Sequence, residues 1–205
     1  DPEVSDTYEL GYKVNLSDVT FDFAVYYMDV DDGIVHAYND AGQRYLTNAS
    51  RVIHKGFEAA SLWTINEQLN ISAAYSQSKH EFDQHDEYSG NEMAAAPEYI
   101  ANLRLRYTPT FLSGFSSMLE VQSIGEYWLD DANSQDENGN DRIYKGYTIV
   151  NLKARYQVNE QLAFHARLLN VADKEYVQEA SYRYGNTEYS PGAPRTFYLG
   201  LNYKW

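Results

Sequence analysis

Thr196-Phe-Tyr-Leu-Gly-Leu-Asn-Tyr-Lys-Trp205 closes the chain, and its reading decides how the rest is understood. Phe197, Leu199, Leu201, Tyr203 and Trp205 fall on every second position, so a strand here carries all five on one face. No polar tail follows Trp205. In water, such a stripe on an end strand templates aggregation. Against lipid it does not. The stretch therefore predicts a strand with one side in a bilayer.

The same alternation recurs upstream. Tyr8, Leu10, Tyr12 and Val14 alternate with polar residues, as do Val19, Phe21, Phe23, Val25 and Tyr27. A long segment runs from Arg44 to Ile65, followed by Leu69, Ile71, Ala73 and Tyr75. Ala101, Leu103, Leu105 and Tyr107 alternate with Asn102, Arg104 and Arg106. Phe115 to Val121, Val150 to Tyr156 and Leu162 to Leu168 repeat the pattern, giving nine strands with the last one.

Connection lengths alternate as well. The links near 17, 67, 111 and 160 are short, whereas those near 40, 87, 136 and 184 are longer or more polar. An outer-membrane β-barrel has short periplasmic turns and longer outer loops. On that pattern the odd strands descend and the C-terminus lies in the periplasm. Trp63, Tyr107, Tyr156 and Trp205 then fall at periplasmic strand ends, where an aromatic girdle belongs. The fold expected is all-β: an antiparallel transmembrane β-barrel.

Composition agrees. The chain is 43% hydrophobic and contains 20 Tyr, a residue suited to strands and girdles. No run reaches the roughly 18 apolar residues of a membrane helix. A net charge of −14 argues against a nucleic-acid partner. Zero Cys excludes disulfides, thiolate metal sites and a Cys nucleophile. The chain opens at Asp1 almost directly in strand-like sequence, with no signal peptide, as a mature or truncated chain would.

Four stretches resemble a known family, the TonB-dependent outer-membrane receptors, in the C-terminal part of their barrel. Glu3-Val-Ser-Asp-Thr-Tyr-Glu-Leu-Gly-Tyr-Lys13 is similar to the family's E-x-S-x-x-Y-E-x-G-x-K strand. Asn48-Ala49 followed by Gly56-Phe57-Glu58 resembles its N-A-G…R-G-V-E segment. Leu169-Asn-Val-Ala-Asp-Lys-Glu-Tyr176 resembles N-L-F-D-K-x-Y, and Pro191-Gly-Ala-Pro-Arg-Thr-Phe197 resembles P-G-x-P-R-x-F. The likeness runs from about residue 3 to 205.

The resemblance implies a barrel of about 22 strands with a plugged lumen. Residues 1–205 would be its last nine strands, the plug and first strands lying outside this sequence. It implies active uptake of a scarce nutrient, above all a ferric siderophore, with haem, cobalamin or a glycan as variants. Partners would be the TonB complex through the plug, the outer membrane with its lipopolysaccharide, and the barrel-assembly machinery. Gly200, Tyr203 and Trp205 resemble the signal read by that machinery. No cofactor is expected.

Candidate ligand-binding residues are Tyr88, Tyr127, Trp128, Tyr182, Tyr184 and Tyr189, in or near loops at 81–93, 129–142 and 177–190. They could stack on a ligand or line the outer girdle. Arg104, Arg106, Lys153, Arg155, His165 and Arg167 alternate against the apolar stripes and should face the lumen or plug. The cations among them, Arg104, Arg106, Lys153, Arg155 and Arg167, could bind plug carboxylates, steer an anionic ligand, or pair with Glu120 or Glu126.

Metal readings are weaker. Asp136-Glu-Asn-Gly-Asn-Asp141 spaces oxygen ligands like a Ca²⁺ loop, but its Gly is misplaced and the final Glu is missing. Asp29-Val-Asp-Asp-Gly33 is a similar near miss, and both read better as solvated loops. His80 and His85 suggest metal or haem, yet no third ligand stands beside them. No metal site is therefore expected. No G-x-S-x-G is present and no Ser-His-acid grouping stands out, so the chain is not expected to be an enzyme. Two alternatives remain: a small self-contained porin, which needs an even strand number, and a soluble β-domain binding sugar or protein.

Overall fold

The computed structural model describes residues 2–38 and 44–205. Its strands are β1 (Val4–Asn15), β2 (Val19–Tyr38), β3 (Arg44–Asn66), β4 (Leu69–Gln84), β5 (Tyr99–Tyr107), β6 (Phe115–Ile124) and β7 (Tyr127–Trp128). Then come β8 (Ile143–Tyr144), β9 (Tyr147–Gln157), β10 (Leu162–Leu169), β11 (Val177–Arg183), β12 (Asn186–Pro191) and β13 (Thr196–Tyr203). No helix occurs among the described residues.

Nine strands build one antiparallel sheet in the order β1-β2-β3-β4-β5-β6-β9-β10-β13. These are the nine expected from the alternation. The other four form two small hairpin ladders, β7–β8 and β11–β12, inside long connections. The sequence predicts loops there. The alternation missed β7 and β8 because each has only two residues. It also stopped β4 too early, since the strand continues through Glu81 and Phe82 to Gln84 against β3. The polar stretch Asn39–Gly42 lies outside the described residues.

Register makes the two faces chemically distinct, because directly paired residues point to the same side. One row crosses eight strands: Val19, Trp63, Ile71, Leu105, Leu119, Leu152, Leu168 and Phe197. A neighbouring row on the opposite face reads Asn70, Arg106, Met118, Lys153, Arg167 and Tyr198. Large apolar side chains on the first face are left open, among them Leu103, Leu152, Phe164, Leu199 and Leu201. Among the described residues nothing covers them, and a lipid-facing wall needs no cover. The wall is about as tall as a bilayer requires, since β5 has nine residues and a tilted spanning strand needs about 9–11.

Short links close one end of the sheet. At the β3–β4 turn, Asn66 accepts the backbone N–H groups of Gln68 and Leu69 on its side-chain oxygen, both at 2.9 Å. Asn159 repeats the device for Gln161 and Leu162. These Asx-type turns fix register without a glycine. Trp63, Tyr107 and Tyr156 lie at this end on the apolar face.

The opposite, long-loop end rises above the common band. The β4–β5 ladder stops at Gln77↔Tyr99, whereas β3 and β4 stay paired to Val52↔Phe82 and beyond. The apolar core sits there, on the polar side of the sheet: Val30, Val52 and Phe82 are buried, with Met28, Tyr88 and Met93 packed against them. A wall with lipid on one side and a lumen on the other has no interior, so core packing appears only where loops fold back.

Candidate functional site

Three long connections meet at this end and are joined into one crown. Residues of the 85–98 connection bind those of the 125–146 connection through side chains that grip main chain. Asp131 accepts the Ala94 N–H at 2.8 Å, and Asn133 accepts the Glu92 N–H and donates to the Glu92 carbonyl, both at 2.8 Å. Asn91 returns a bond to the Asp131 carbonyl at 2.9 Å. Asn133 adopts φ 46°, a left-handed conformation that Asn tolerates.

The 125–146 connection grips the β11–β12 hairpin in turn. The Tyr127 hydroxyl accepts the Ala180 N–H at 2.8 Å and donates to the Ala180 carbonyl at 3.2 Å. The Tyr144 hydroxyl donates to the Val177 carbonyl, and the Tyr182 N–H donates to the Leu129 carbonyl at 2.9 Å. Arg142 lies over the Tyr182 ring, 4.1 Å from its centre.

A cleft of about 590 Å³ opens between the three connections. Tyr88 and Met93 line it from the first, Leu129 to Ala132 from the second, and Ser181 to Tyr184 from the hairpin. Burial pushes the Tyr88 phenol up, and the charges of Glu87, Asp131 and Asp130 act in the same direction. It stays a neutral hydrogen-bond donor at neutral pH. Asp130 accepts from Ser134 and Asp131 from Ala94, and these two carboxylates stand beside one guanidinium, Arg183, which makes no ion pair among the described residues. Aromatic faces, phenol donors and a guanidinium suit an oxygen-rich ligand.

The six expected loop aromatics separate into groups. Tyr88, Tyr182 and Tyr184 line the cleft, with Tyr184 at the hairpin tip in a left-handed conformation. Tyr127 is buried and bound to Ala180, so it holds the crown together and is not open to a ligand. Trp128 follows it in β7, and its carbonyl accepts the Ala95 N–H. Tyr189 is exposed on β12 and does not line the cleft.

The six expected lumen residues share the polar face. Glu120, nearly fully buried, takes Arg104 at 2.7 Å and Lys153 at 2.9 Å. Asn151 donates to the same carboxylate at 3.4 Å and accepts the Asn170 N–H at 2.9 Å. Asn170 then ties down the 170–195 connection, donating to the Lys174 and Ala193 carbonyls and accepting the Lys174 N–H. Arg195 binds Asp173 through both backbone and guanidinium. The two C-terminal motifs are thus two sides of one clamp. Arg155 donates to Gln157, and Arg167 lies over Tyr198 at 5.2 Å. Arg106 makes no ion pair among the described residues. A Cβ at Gly200 would sit 2.0 Å from the His165 ring, which packs over this position. Tyr203 and Trp205 are exposed.

The acidic loops spend their oxygens internally. Asp136 accepts from Asn138 and Asn140, bonds that hold its carboxyl below the usual range. Asp29 is engaged by Arg51, which also approaches Asp31 and Asp83. His85 caps a turn, accepting the Glu87 and Tyr88 N–H groups while stacking on Tyr88 at 4.6 Å.

His80 instead meets His54, Nδ1 to Nδ1, at 2.6 Å. Sequence reading missed His54. The ladder is unbroken from Thr64↔Asn70 to Val52↔Phe82, with His54↔His80 one of its rungs, but the register shifts by one between Thr64 and Asn66, so counting from the turn sets His54 opposite Glu81.

Comparison with known proteins now bears on this geometry. A family model described as TonB dependent receptor-like, beta-barrel, matches residues 1–171. The metal-pseudopaline receptor CntO of Pseudomonas aeruginosa is 25% identical over 208 residues, covering 99% of this chain and 28% of that protein. The catecholate siderophore receptor Fiu of Escherichia coli K12 is 25% identical over 206 residues, covering 98% and 26%. Among solved structures, the ferric yersiniabactin uptake receptor FyuA from Yersinia pestis superposes with a TM-score of 0.80 at 20% identity, over 98% of this chain and 29% of that one. The chain spans little more than a quarter of the length of these relatives.

Proposed function

We propose, from the premise that the chain belongs to the TonB-dependent receptor-like β-barrel family, that it supplies wall and crown to an outer-membrane receptor for an iron or metal chelate, most simply a ferric siderophore. Family members are outer-membrane β-barrel proteins and the relatives are transport receptors, which fits a non-enzyme. In this reading residues 1–205 are the C-terminal strands of a plugged barrel of about 22 strands. The short turns face the periplasm, the C-terminus with them, and the crown faces outward into the lipopolysaccharide. Energy for uptake comes through the TonB complex acting on the plug. Gly200, Tyr203 and Trp205 present the last strand to the barrel-assembly machinery.

The observation that carries this reading is the cleft between three mutually bonded connections. A siderophore complex is bulky, oxygen-rich and often anionic. Tyr88, Tyr182, Tyr184 and Arg183 offer it stacking surfaces, phenol donors and one positive charge. On the polar face, Arg106, Arg155 and Arg167 continue the cationic character that an anion passing the wall would meet. Arg104 and Lys153 are already occupied by Glu120.

The test uses the full-length protein that carries this chain, purified in detergent and titrated with a panel of ferric catecholate, hydroxamate and carboxylate siderophores. Micromolar or tighter binding of one class, weakened at least tenfold by Tyr88→Ala with Tyr182→Ala, supports the reading. Equal binding by wild type and variant, or binding of no metal chelate, overturns it.

A further inference from the structure

His54 and His80 lie on the polar side of the sheet, above the band that β5 spans. Their rings are 4.8 Å apart, tilted by 59°, with Nδ1 atoms at 2.6 Å. Such a pair shares a proton or a cation. Met28 is the direct cross-strand partner of His54, so Met28, His54 and His80 form one row over β2, β3 and β4. A second thioether comes from the connection above. Met93 donates its N–H to the His80 carbonyl at 2.9 Å and packs, like Met28, on the Val30–Val52–Phe82 cluster.

We infer that Met28, His54, His80 and Met93 form a binding site for a soft monovalent cation, of which Cu(I) is the biological example. Ligand charge and softness select the ion. Two imidazoles and two thioethers are all neutral, which suits a monovalent d¹⁰ ion. A divalent zinc ion favours thiolate or carboxylate, or a third imidazole. Among the described residues, no three of His, Cys, Asp or Glu gather around a space for one. Carboxylate-rich calcium geometry is equally missing from this row. Ring nitrogens around a metal stand about 2.0–2.1 Å from it. The pair therefore opens by roughly an ångström on binding, a side-chain rotation near the loop end of β3 and β4.

The site does not depend on the siderophore reading. It is distinct from the Tyr182–Tyr184 side of the cleft and borders it through Met93. The experiment titrates the full-length protein with Cu(I) under anaerobic conditions against a colorimetric Cu(I) chelator, with Ag(I) as a redox-inert stand-in and Zn(II) as control. One Cu(I) per protein is expected, with X-ray absorption showing mixed nitrogen and sulfur ligands. His54→Ala with His80→Ala should abolish it. Met28→Leu with Met93→Leu, which keeps the packing, should weaken it at least thirtyfold. Stoichiometry below one, an absorption spectrum without sulfur, unchanged affinity in the Met variant, or tighter binding of Zn(II) than Cu(I) would each overturn the assignment. Native-like heat-modifiable migration of both variants separates loss of the site from loss of the barrel.

Discussion

The wall and the crown are held by different kinds of bond. In the wall, backbone ladders pair neighbours in sequence order, and side chains only choose a face. In the crown, side chains of Asp131, Asn133, Tyr127, Tyr144 and Asn170 reach main chain that lies far along the sequence. The wall follows from a period of two. The crown follows from a few polar side chains finding specific carbonyl and N–H groups. A wall of this kind survives most substitutions that keep polarity, whereas a crown of this kind fails one clamp at a time.

The contrast can be tested from its strongest consequence downward. Leu152→Arg places a charge in the middle of the apolar row and should cost about 2–4 kcal/mol. Reversible unfolding of the full-length protein in lipid would measure it, and a cost near zero would mean that this face does not meet hydrocarbon. Asn170→Ala removes three hydrogen bonds from a buried side chain and should cost about 2–3 kcal/mol. The loss should appear as faster hydrogen exchange across 170–195 with the wall unchanged. Exchange accelerating equally in β5 and β6 would show that the two regions are not separable.

Tyr127→Phe strips the hydroxyl from its Ala180 contacts and should cost about 1–2 kcal/mol. Protease cutting within 177–190 should rise while barrel migration on gels stays native. The smallest effect is pH-dependent. The folded pKa values of His54 and His80 lie below the ordinary value of 6.5, so the unfolded chain binds more protons. Stability at this end is therefore complete above about pH 6.5 and falls as pH drops below it. Thermal midpoints between pH 8 and 5 should fall more for wild type than for His54→Phe with His80→Phe, and parallel curves would remove the pair from this role.

Much of the wall was legible because a strand writes its face directly into alternate residues. Trp63, Leu105, Leu152 and Phe197 needed no structure to be placed on one side. The short turns carried register too, through Asn66 and Asn159. Hairpin β7–β8 left no periodic trace, because two residues cannot show a period. Tyr127 and Tyr88 are both loop tyrosines in sequence, and only packing separates a clamp from a cleft lining. Glu120 was visible as a possible partner for the cations, but its relay through Asn151 to Asn170 spans strands whose pairing skips β7 and β8. His54 was not recoverable by counting rungs from the turn, because the one-residue shift between Thr64 and Asn66 sets it opposite Glu81 on that count.

Most crown bonds end on a carbonyl or an N–H, groups that every residue except proline offers alike. The gripped residue's own side chain takes no part. Ala94, Ala180 and Ala193 illustrate this, since each is held by its backbone alone. Selection acting on such a scaffold can rewrite the cleft lining at 88 and 182–184 while the grips stay in place. A new lining can then appear without first losing, and later rebuilding, the platform on which it is displayed.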